Sequence, residues 1–232
     1  MSSDNPDPMI RIKVCGVRRS EDLELLAASG VDAVGFNFVM RSQRYVTPQR
    51  AVALCARAAE LGLVRVAVVM DPSPQQLDEL LSQVEVDWVQ LHGREPPSIA
   101  SVCQGLPILK ATSWSGRREE EELVAAWRQL ADTGQLAAWL VDAYAPHAGG
   151  GTGQTAAWQL LLPRPALFGN LPLLLAGGLN PSNVAEALIA SGADGVDTAS
   201  GVELEPGVKS AELVASFAQR AHGAALGRRT DS

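Results

Sequence analysis

A short apolar run followed by an amphipathic segment recurs eight times along the chain, and this repeat most constrains the fold. Successive runs begin about 26 residues apart, the length of one strand, one helix and two short connections. Several runs are apolar nearly throughout, which is typical of parallel strands covered on both faces. The runs cover 10–15, 33–38, 64–69, 87–91, 107–111, 138–142, 171–176 and 194–198.

Helical patterns fill the intervals between these runs. The second pattern opens on Thr47 and Pro48 and closes on Gly62, as helices commonly do. No linker-like gap interrupts the series, so we expect one domain over 10–222, with a disordered tail at 1–9 and a flexible tail at 223–232. The helical patterns cover 20–29, 47–62, 74–84, 95–104, 119–131, 181–191 and 210–221, with a weaker candidate at 154–162.

Eight strand-helix units in succession most economically close into an α/β barrel, because a closed parallel sheet leaves no edge strand. We therefore predict a single-domain (β/α)8 TIM barrel. An open, doubly wound sheet is the alternative. It is disfavoured because the dinucleotide signature GxGxxG does not follow the first strand, where the residues read CGVRRS.

Charge and cysteine content narrow the class of partner. The formal net charge of −7 disfavours a nucleic-acid partner, and an anionic substrate must therefore be attracted by local positive groups. No apolar run reaches the roughly 18 to 20 residues that a membrane span needs. The three cysteines lack the close pairing of zinc sites or disulfide frameworks, which favours a reducing cytoplasm; Cys55 and Cys103, in helical patterns, are most simply core residues.

In a barrel of this kind, the residues that follow each strand meet at one face. His92 and Arg44 each have a simple alternative, a hydrogen-bonded structural histidine and an exposed loop arginine. The side chain of a cysteine that ends a strand points beyond the sheet. Such a cysteine either fills space in the core or takes part in the chemistry of a site. The residues predicted to meet there are Cys15, Arg44, Gln90, His92, Asp142, Gly177, Gly178, Ser200 and Gly201.

Glycines after the last two strands predict a phosphate site. Gly177 and Gly178 precede an Asn-Pro-Ser helix start, and Ser200 and Gly201 follow the eighth strand. Bare backbone amides near a helix start bind phosphate well, and many barrels bind phosphate after strands 7 and 8. Either of these two loops alone would be explained as a tight turn. The run GGGTG at 149–153 is a third phosphate or lid loop, or a plain connector.

Taken together, the motifs resemble the phosphoribosylanthranilate isomerase family of tryptophan biosynthesis over about residues 10 to 220. The motifs that carry the resemblance are KVCGVRRSEDL, VGFNFVMRSQRYVTP, VQLHGRE, GGTG, LAGGLNPSNV and VDTASGVELEPGVKS. The resemblance implies an Amadori rearrangement of a small phosphorylated anthranilate substrate, without cofactor or metal, in a cytoplasmic monomer or homodimer. This chain differs from the family pattern at Ala156 and Ala157, where the family commonly has Phe-Asp.

The family pattern implies roles for single residues. Cys15 would be the general base and Asp142 the general acid. Arg44 would hold the anthranilate carboxylate, and Asp197 would lie in the mouth of the site without an assigned role. Gln90 and His92 would line the pocket, with His92 at most supporting. Gly177, Gly178, Ser200 and Gly201 would surround the phosphate.

Neither implied catalytic group has the required protonation state at neutral pH if its pKa is unperturbed. A free thiol is only about 3% ionised at pH 7, so Cys15 needs a lowered pKa or a transient proton acceptor, and we predict that its pKa is lowered. An unperturbed carboxyl is only about 0.1% protonated, so we expect burial or a nearby anion such as the substrate to raise the pKa of Asp142.

Two other hypotheses for the function remain open. A related aminoaldose isomerase of histidine biosynthesis, or a dual-substrate enzyme, performs the same rearrangement. Histidine-pathway barrels generally use two aspartates and carry a twofold repeat; this chain has Cys15 in the first position and no clear half-chain repeat. A non-catalytic phosphate-binding barrel would have lost the acid or the base, and this chain retains candidates for both.

Overall fold

Eight parallel strands close into a barrel in a computed structural model, which describes residues 10–142 and 158–230. Each strand pairs with the next along the chain, and the eighth pairs with the first. The predicted (β/α)8 barrel is confirmed. The strands are β1 (Ile12–Cys15), β2 (Ala33–Asn37), β3 (Val64–Val69), β4 (Trp88–Leu91), β5 (Ile108–Ser113), β6 (Leu136–Asp142), β7 (Leu173–Ala176) and β8 (Gly195–Thr198).

Helices connect most of the strands, and two of them begin with sequence-encoded caps. Thr47 accepts a hydrogen bond from the Arg50 amide, and Ser73 forms a capping box with Gln76. Within the described ranges, no helix has the length and apolar character needed to cross a bilayer. The helices are α1 (Ser20–Ala28), α2 (Pro48–Glu60), α3 (Pro74–Gln83), α4 (Arg118–Arg128), α5 (Val184–Ser191) and α6 (Ala211–Thr230).

Three connections differ from the predicted pattern. The predicted helix 95–104 is a 3-10 helix over Pro97–Val102, because two prolines and the following Gly105 leave only a short segment. The weak candidate 154–162 is a 3-10 helix over Trp158–Leu161, and its first four residues lie outside the described ranges. The last helix, α6, continues to Thr230 rather than ending at 221. The predicted tail at 1–9 lies outside the described ranges.

Alternation along the strands divides the core into two layers. On β7, Leu173 and Leu175 pack outward against the helices, whereas Leu174 and Ala176 point into the barrel. On β1, Ile12 and Val14 belong to the outer layer, and Cys15 packs against the inner one. The even spacing therefore directs Lys13 and Cys15 toward the barrel axis.

A short hairpin follows β8 and covers part of the face at which the strands end. It consists of β9 (Glu203–Glu205) and β10 (Val208–Lys209), which pair antiparallel after a 3-10 turn over Ser200–Val202. Gly207 forms the turn with φ of +84°, a conformation that favours glycine. This hairpin brings two charged residues, Glu203 and Lys209, back toward β1.

Candidate active site

A cavity of about 360 Å³ opens at the C-terminal ends of the strands. Because the strands are parallel, loops distant in sequence meet here. The structure thus brings together nearly all of the predicted site residues; those that line the cavity are Cys15, Arg44, Gln90, His92, Asp142, Gly177, Gly178, Asp197 and Ser200.

Cys15 and Asp142 lie at the last positions of β1 and β6. Burial raises the pKa of the Cys15 thiol above its ordinary value, although the cationic groups of Lys13, Lys209 and Arg44 oppose that rise. The predicted lowering of the Cys15 pKa is therefore wrong for the unliganded protein. Desolvation at the mouth of the barrel exceeds the attraction of the surrounding cations.

Lys13 and Asp197 form a buried ion pair below the cavity. Lys13 Nζ lies 2.8 Å from Asp197 Oδ1, the lysine is 0% exposed and the aspartate 8% exposed. The two residues are register partners on the adjacent strands β1 and β8. Sequence analysis missed Lys13. The available signal was its position two residues before Cys15 in an alternating strand, which puts both side chains on one face.

Arg44, in the loop after β2, is held by Glu203. Its Nε donates at 2.9 Å to Glu203 Oε1, and Nη2 donates at 2.6 Å to Oε2. This side-on pairing uses one edge of the guanidinium and fixes its plane, which leaves Nη1 for a ligand. The arginine is thus an oriented wall of the cavity and not an exposed loop residue.

Lys209 ties the hairpin to the first strand. Its Nζ donates to the Cys15 carbonyl oxygen at 2.7 Å and to Glu203 Oε1 at 2.8 Å. Burial lowers the pKa of Lys209, and the Glu203 carboxylate opposes that change. Glu203 therefore receives hydrogen bonds from two cations, and sequence analysis assigned neither it nor Lys209.

Gly16 explains why a glycine follows the strand-ending cysteine. Its φ is +76°, and a β-carbon at this position would collide with the aliphatic part of the Arg44 side chain. Only glycine combines that backbone conformation with that close approach. The turn after Cys15 is thus shaped to let Arg44 lie against it.

The loops after β7 and β8 form the candidate phosphate site. Gly177 and Gly178 have φ of +98° and +66°, which favour glycine. In the described part of the chain, the amides of Gly177, Gly178 and Ser200 have no hydrogen-bond acceptor. Helix α5 begins only at Val184, after a turn, so the loop amides themselves lie nearest the cavity.

Gly201 packs the two phosphate loops together. It does not line the cavity, but a β-carbon at this position would collide with the carbonyl oxygen of Leu179. The same oxygen accepts a 2.7 Å hydrogen bond from Thr198 Oγ1. The absence of a side chain at Gly201 therefore allows the loop after β8 to contact the loop after β7.

Gln90 and His92 line the opposite wall as a pair. Gln90 Nε2 and His92 Nδ1 lie 2.8 Å apart. With the amide donating, His92 Nδ1 accepts and Nε2 carries the ring proton. Burial lowers the pKa of His92, so the ring is neutral at pH 7. Gln90 is 1% exposed, and its Oε1 has no partner among the described residues.

Lys110 supports the loop after β4 from outside the cavity. Its Nζ donates to the carbonyl oxygens of Leu91 and Gly93 and to Glu95 Oε2, at 3.0, 2.7 and 2.9 Å. The side chain is 0% exposed and lies over the Trp127 ring. This second buried lysine has a structural role in holding the loop that carries His92.

Part of the predicted site lies outside the described ranges. This part comprises the glycine-rich run 149–153 and the departures Ala156 and Ala157. Trp158, which follows them, is buried at 6% exposure.

Comparisons with known proteins agree with the geometry. Residues 12–220 match the family model of N-(5'-phosphoribosyl)anthranilate isomerase. Two curated relatives with that name come from Ruegeria sp., 40% identical with 91% of this chain and 97% of the relative covered, and from Myxococcus xanthus, 41% identical with 91% and 96% covered.

Solved structures show the same likeness. The phosphoribosyl anthranilate isomerase of Thermotoga maritima has 33% identity and a TM-score of 0.78, covering 93% of this chain and 100% of that one. A structure of phosphoribosyl anthranilate isomerase in complex with reduced 1-(o-carboxyphenylamino)-1-deoxyribulose 5-phosphate has 31% identity and a TM-score of 0.76, with the same coverage.

Proposed function

This chain belongs to the N-(5'-phosphoribosyl)anthranilate isomerase family, and on that premise we propose that Cys15 and Asp142 catalyse its Amadori rearrangement. The reaction converts N-(5'-phosphoribosyl)anthranilate into 1-(2-carboxyphenylamino)-1-deoxyribulose 5-phosphate, a step of tryptophan biosynthesis. One observation carries the assignment of roles: the two residues end different strands and line one cavity. An acid and a base that approach a substrate from different strands are what this reaction requires.

Asp142 begins the reaction as the general acid. It donates a proton to the ribose ring oxygen, the bond from that oxygen to C1 breaks, and an open-chain Schiff base forms. The Cys15 thiolate then removes the proton from C2, which gives an enolamine that tautomerises to the ketone. At the end Asp142 has lost a proton and Cys15 has gained one, so both groups are reset by proton exchange.

Binding is divided between the two sides of the cavity. The loop amides of Gly177, Gly178 and Ser200 would receive the phosphate, since their N–H groups are unpaired in the described part of the chain. Arg44, fixed by Glu203, would receive the anthranilate carboxylate through Nη1. Local positive groups thus attract an anionic substrate to a protein of net charge −7.

The state of the cysteines supports the proposal of a cytoplasmic setting. Cys15, Cys55 and Cys103 are all free thiols, which suits a reducing cytoplasm. A free thiol at the active site also has to stay reduced to act as a base.

The decisive assay follows the fluorescence of phosphoribosylanthranilate with purified protein and generated substrate. We expect the fluorescence of phosphoribosylanthranilate to be lost as the substrate is consumed. In a parallel assay, we expect no turnover of the histidine-pathway aminoaldose. Turnover of both substrates would make the protein a dual-substrate enzyme. Turnover of neither would overturn the proposed activity.

Two substitutions test the catalytic roles separately. Cys15→Ser and Asp142→Asn should each lower kcat by about 10² to 10⁴-fold, while a reduced product analogue still binds. The analogue-binding measurement separates loss of chemistry from loss of fold. Full activity in either variant would remove that residue from the mechanism.

A further inference from the structure

The buried cation beside Cys15 is the group that the reaction scheme leaves unused. Lys13 precedes Cys15 by two residues on β1, so both side chains point toward the barrel axis. Lys13 is fully buried and bonded to Asp197 at 2.8 Å. A buried ammonium is costly to desolvate, even when it is paired.

Gly35 shows how close the lysine and the cysteine come. It is the register partner of Cys15 on β2, and a β-carbon there would lie 3.0 Å from Cys15 Sγ and 3.2 Å from Lys13 Nζ. The sulfur and the ammonium therefore border the same small space. A side chain at position 35 would press on both of them.

We propose that Lys13 is a positioning residue for the reaction, whose ammonium group, fixed by Asp197, stabilises the Cys15 sulfur as the thiolate that a base requires. This inference rests on the proposed function, because it explains how Cys15 acts as that base. It also gives Asp197 a role, which is to hold the lysine charged and in place.

The cations around Cys15 support this assignment, whereas the Asp197 carboxylate by itself opposes the thiolate. Burial alone would lower the pKa of Lys13, but the Asp197 carboxylate and the ionised form of Cys15 outweigh that effect and raise it, so the lysine stays protonated. The ionisable groups that face Cys15 are Lys13 on the same strand, Asp197 on β8, Lys209 on β10 and Arg44 after β2. Of the three cations, Lys13 has the largest effect on the thiol.

The test measures the ionisation of Cys15 directly, without using activity. The rate of alkylation of Cys15 by iodoacetamide is followed against pH, and the modified residue is identified by peptide mass. Burial raises the pKa of Cys55 to about 12 and that of Cys103 to about 11, so neither competes near neutrality. The midpoint of the profile reports the thiol and does not depend on how easily the reagent enters.

Lys13→Met should move this midpoint upward by one unit or more, a tenfold loss of thiolate at pH 7. The ascending limb of the kcat/KM profile should move with it. Lys110→Met is the matched control, since it removes another fully buried, ion-paired lysine that does not face Cys15. An unchanged midpoint in folded Lys13→Met would overturn the inference, even if Cys15 proves essential.

Gly35→Ala keeps the test decisive if Lys13→Met does not fold. The added methyl group would press on both the sulfur and the ammonium and displace them from their present contact, so the midpoint should again rise, by a smaller amount. Gly223→Ala, where a β-carbon meets nothing within 4 Å, is the control. A midpoint in Gly35→Ala equal to that of the wild type would contradict the proposal.

Discussion

Glu203 holds the Arg44 guanidinium by three hydrogen bonds, from Nε to both carboxylate oxygens at 2.9 and 3.1 Å and from Nη2 at 2.6 Å. The partners come from the loop after β2 and from β9, which are separated by most of the sequence. Lys209 donates to the same carboxylate at 2.8 Å and to the Cys15 carbonyl oxygen. The hairpin after β8 therefore couples Arg44, proposed to bind the substrate carboxylate, to the strand that carries Cys15, the proposed base.

Arg44→Ala should act on substrate affinity. We expect KM to rise by about tenfold or more with kcat changed little, because a charge-assisted hydrogen bond to the substrate carboxylate is lost. Glu203→Gln should raise KM by a smaller factor, since the guanidinium is less firmly oriented. Glu205→Gln, an exposed acid of the same hairpin, is the control. A large fall in kcat with unchanged KM in Arg44→Ala would contradict the assigned role.

Gly201→Ala should weaken the phosphate site. Its β-carbon would collide with the Leu179 carbonyl oxygen, so the two loops must separate. Overpacking of this kind typically costs about 1 to 3 kcal/mol, which should also lower the unfolding temperature. We expect the inhibition constant of inorganic phosphate and KM to rise together. If phosphate inhibits the variant as strongly as the wild type, Gly201 has no part in arranging the loops.

His92→Asn should leave the pH dependence of kcat unchanged between pH 7 and 8. Burial lowers the pKa of His92, so the ring is already neutral across this range. The loss of the contact with Gln90 should appear mainly in KM. Steady-state kinetics over that pH range check the point. A changed slope of kcat with pH would instead give His92 a proton-transfer role.

The barrel could be predicted because its signal repeats. Each of the eight apolar runs overlaps an observed strand, and a parallel barrel sends all their C-terminal ends to one face. Strand ends alone therefore placed Cys15 and Asp142 among the residues of one face, whereas their roles as base and acid came from the family resemblance and stay a prediction. The short 3-10 helix over Pro97–Val102 was misread because prolines open helices as well as shorten them.

The ion pairs were not predictable in the same way. Glu203 and Lys209 look like ordinary surface charges in sequence, and only the folded hairpin brings them to Arg44. The pKa of Cys15 was predicted with the wrong sign, because the cost of burial at the barrel mouth depends on packing and not on residue type. A lysine inside an apolar strand, such as Lys13, is the signal that could have been used.

Glu120, in the first turn of α4, accepts hydrogen bonds from the Ser115 amide, Ser113 Oγ and Arg117 Nη2 at 2.6, 2.9 and 2.9 Å. Burial would raise the pKa of this carboxyl, but the hydrogen bonds outweigh it and lower the pKa to about 2. A carboxyl group whose pKa is lowered by folding stabilises the folded state at any pH above its ordinary pKa. This stabilisation is lost as the pH falls through the lowered pKa.

Glu120→Gln should therefore lower the free energy of unfolding at pH 7, by at most about 3 kcal/mol. The ionised carboxylate contributes fully above about pH 4.5, so the difference between wild type and variant should shrink as pH falls from 4.5 toward 2. Urea unfolding at pH 7 and pH 3 checks this, with exposed Glu119→Gln as control. If the difference in unfolding free energy between wild type and variant stays constant with pH, Glu120 stabilises the loop by its packing and not by its charge.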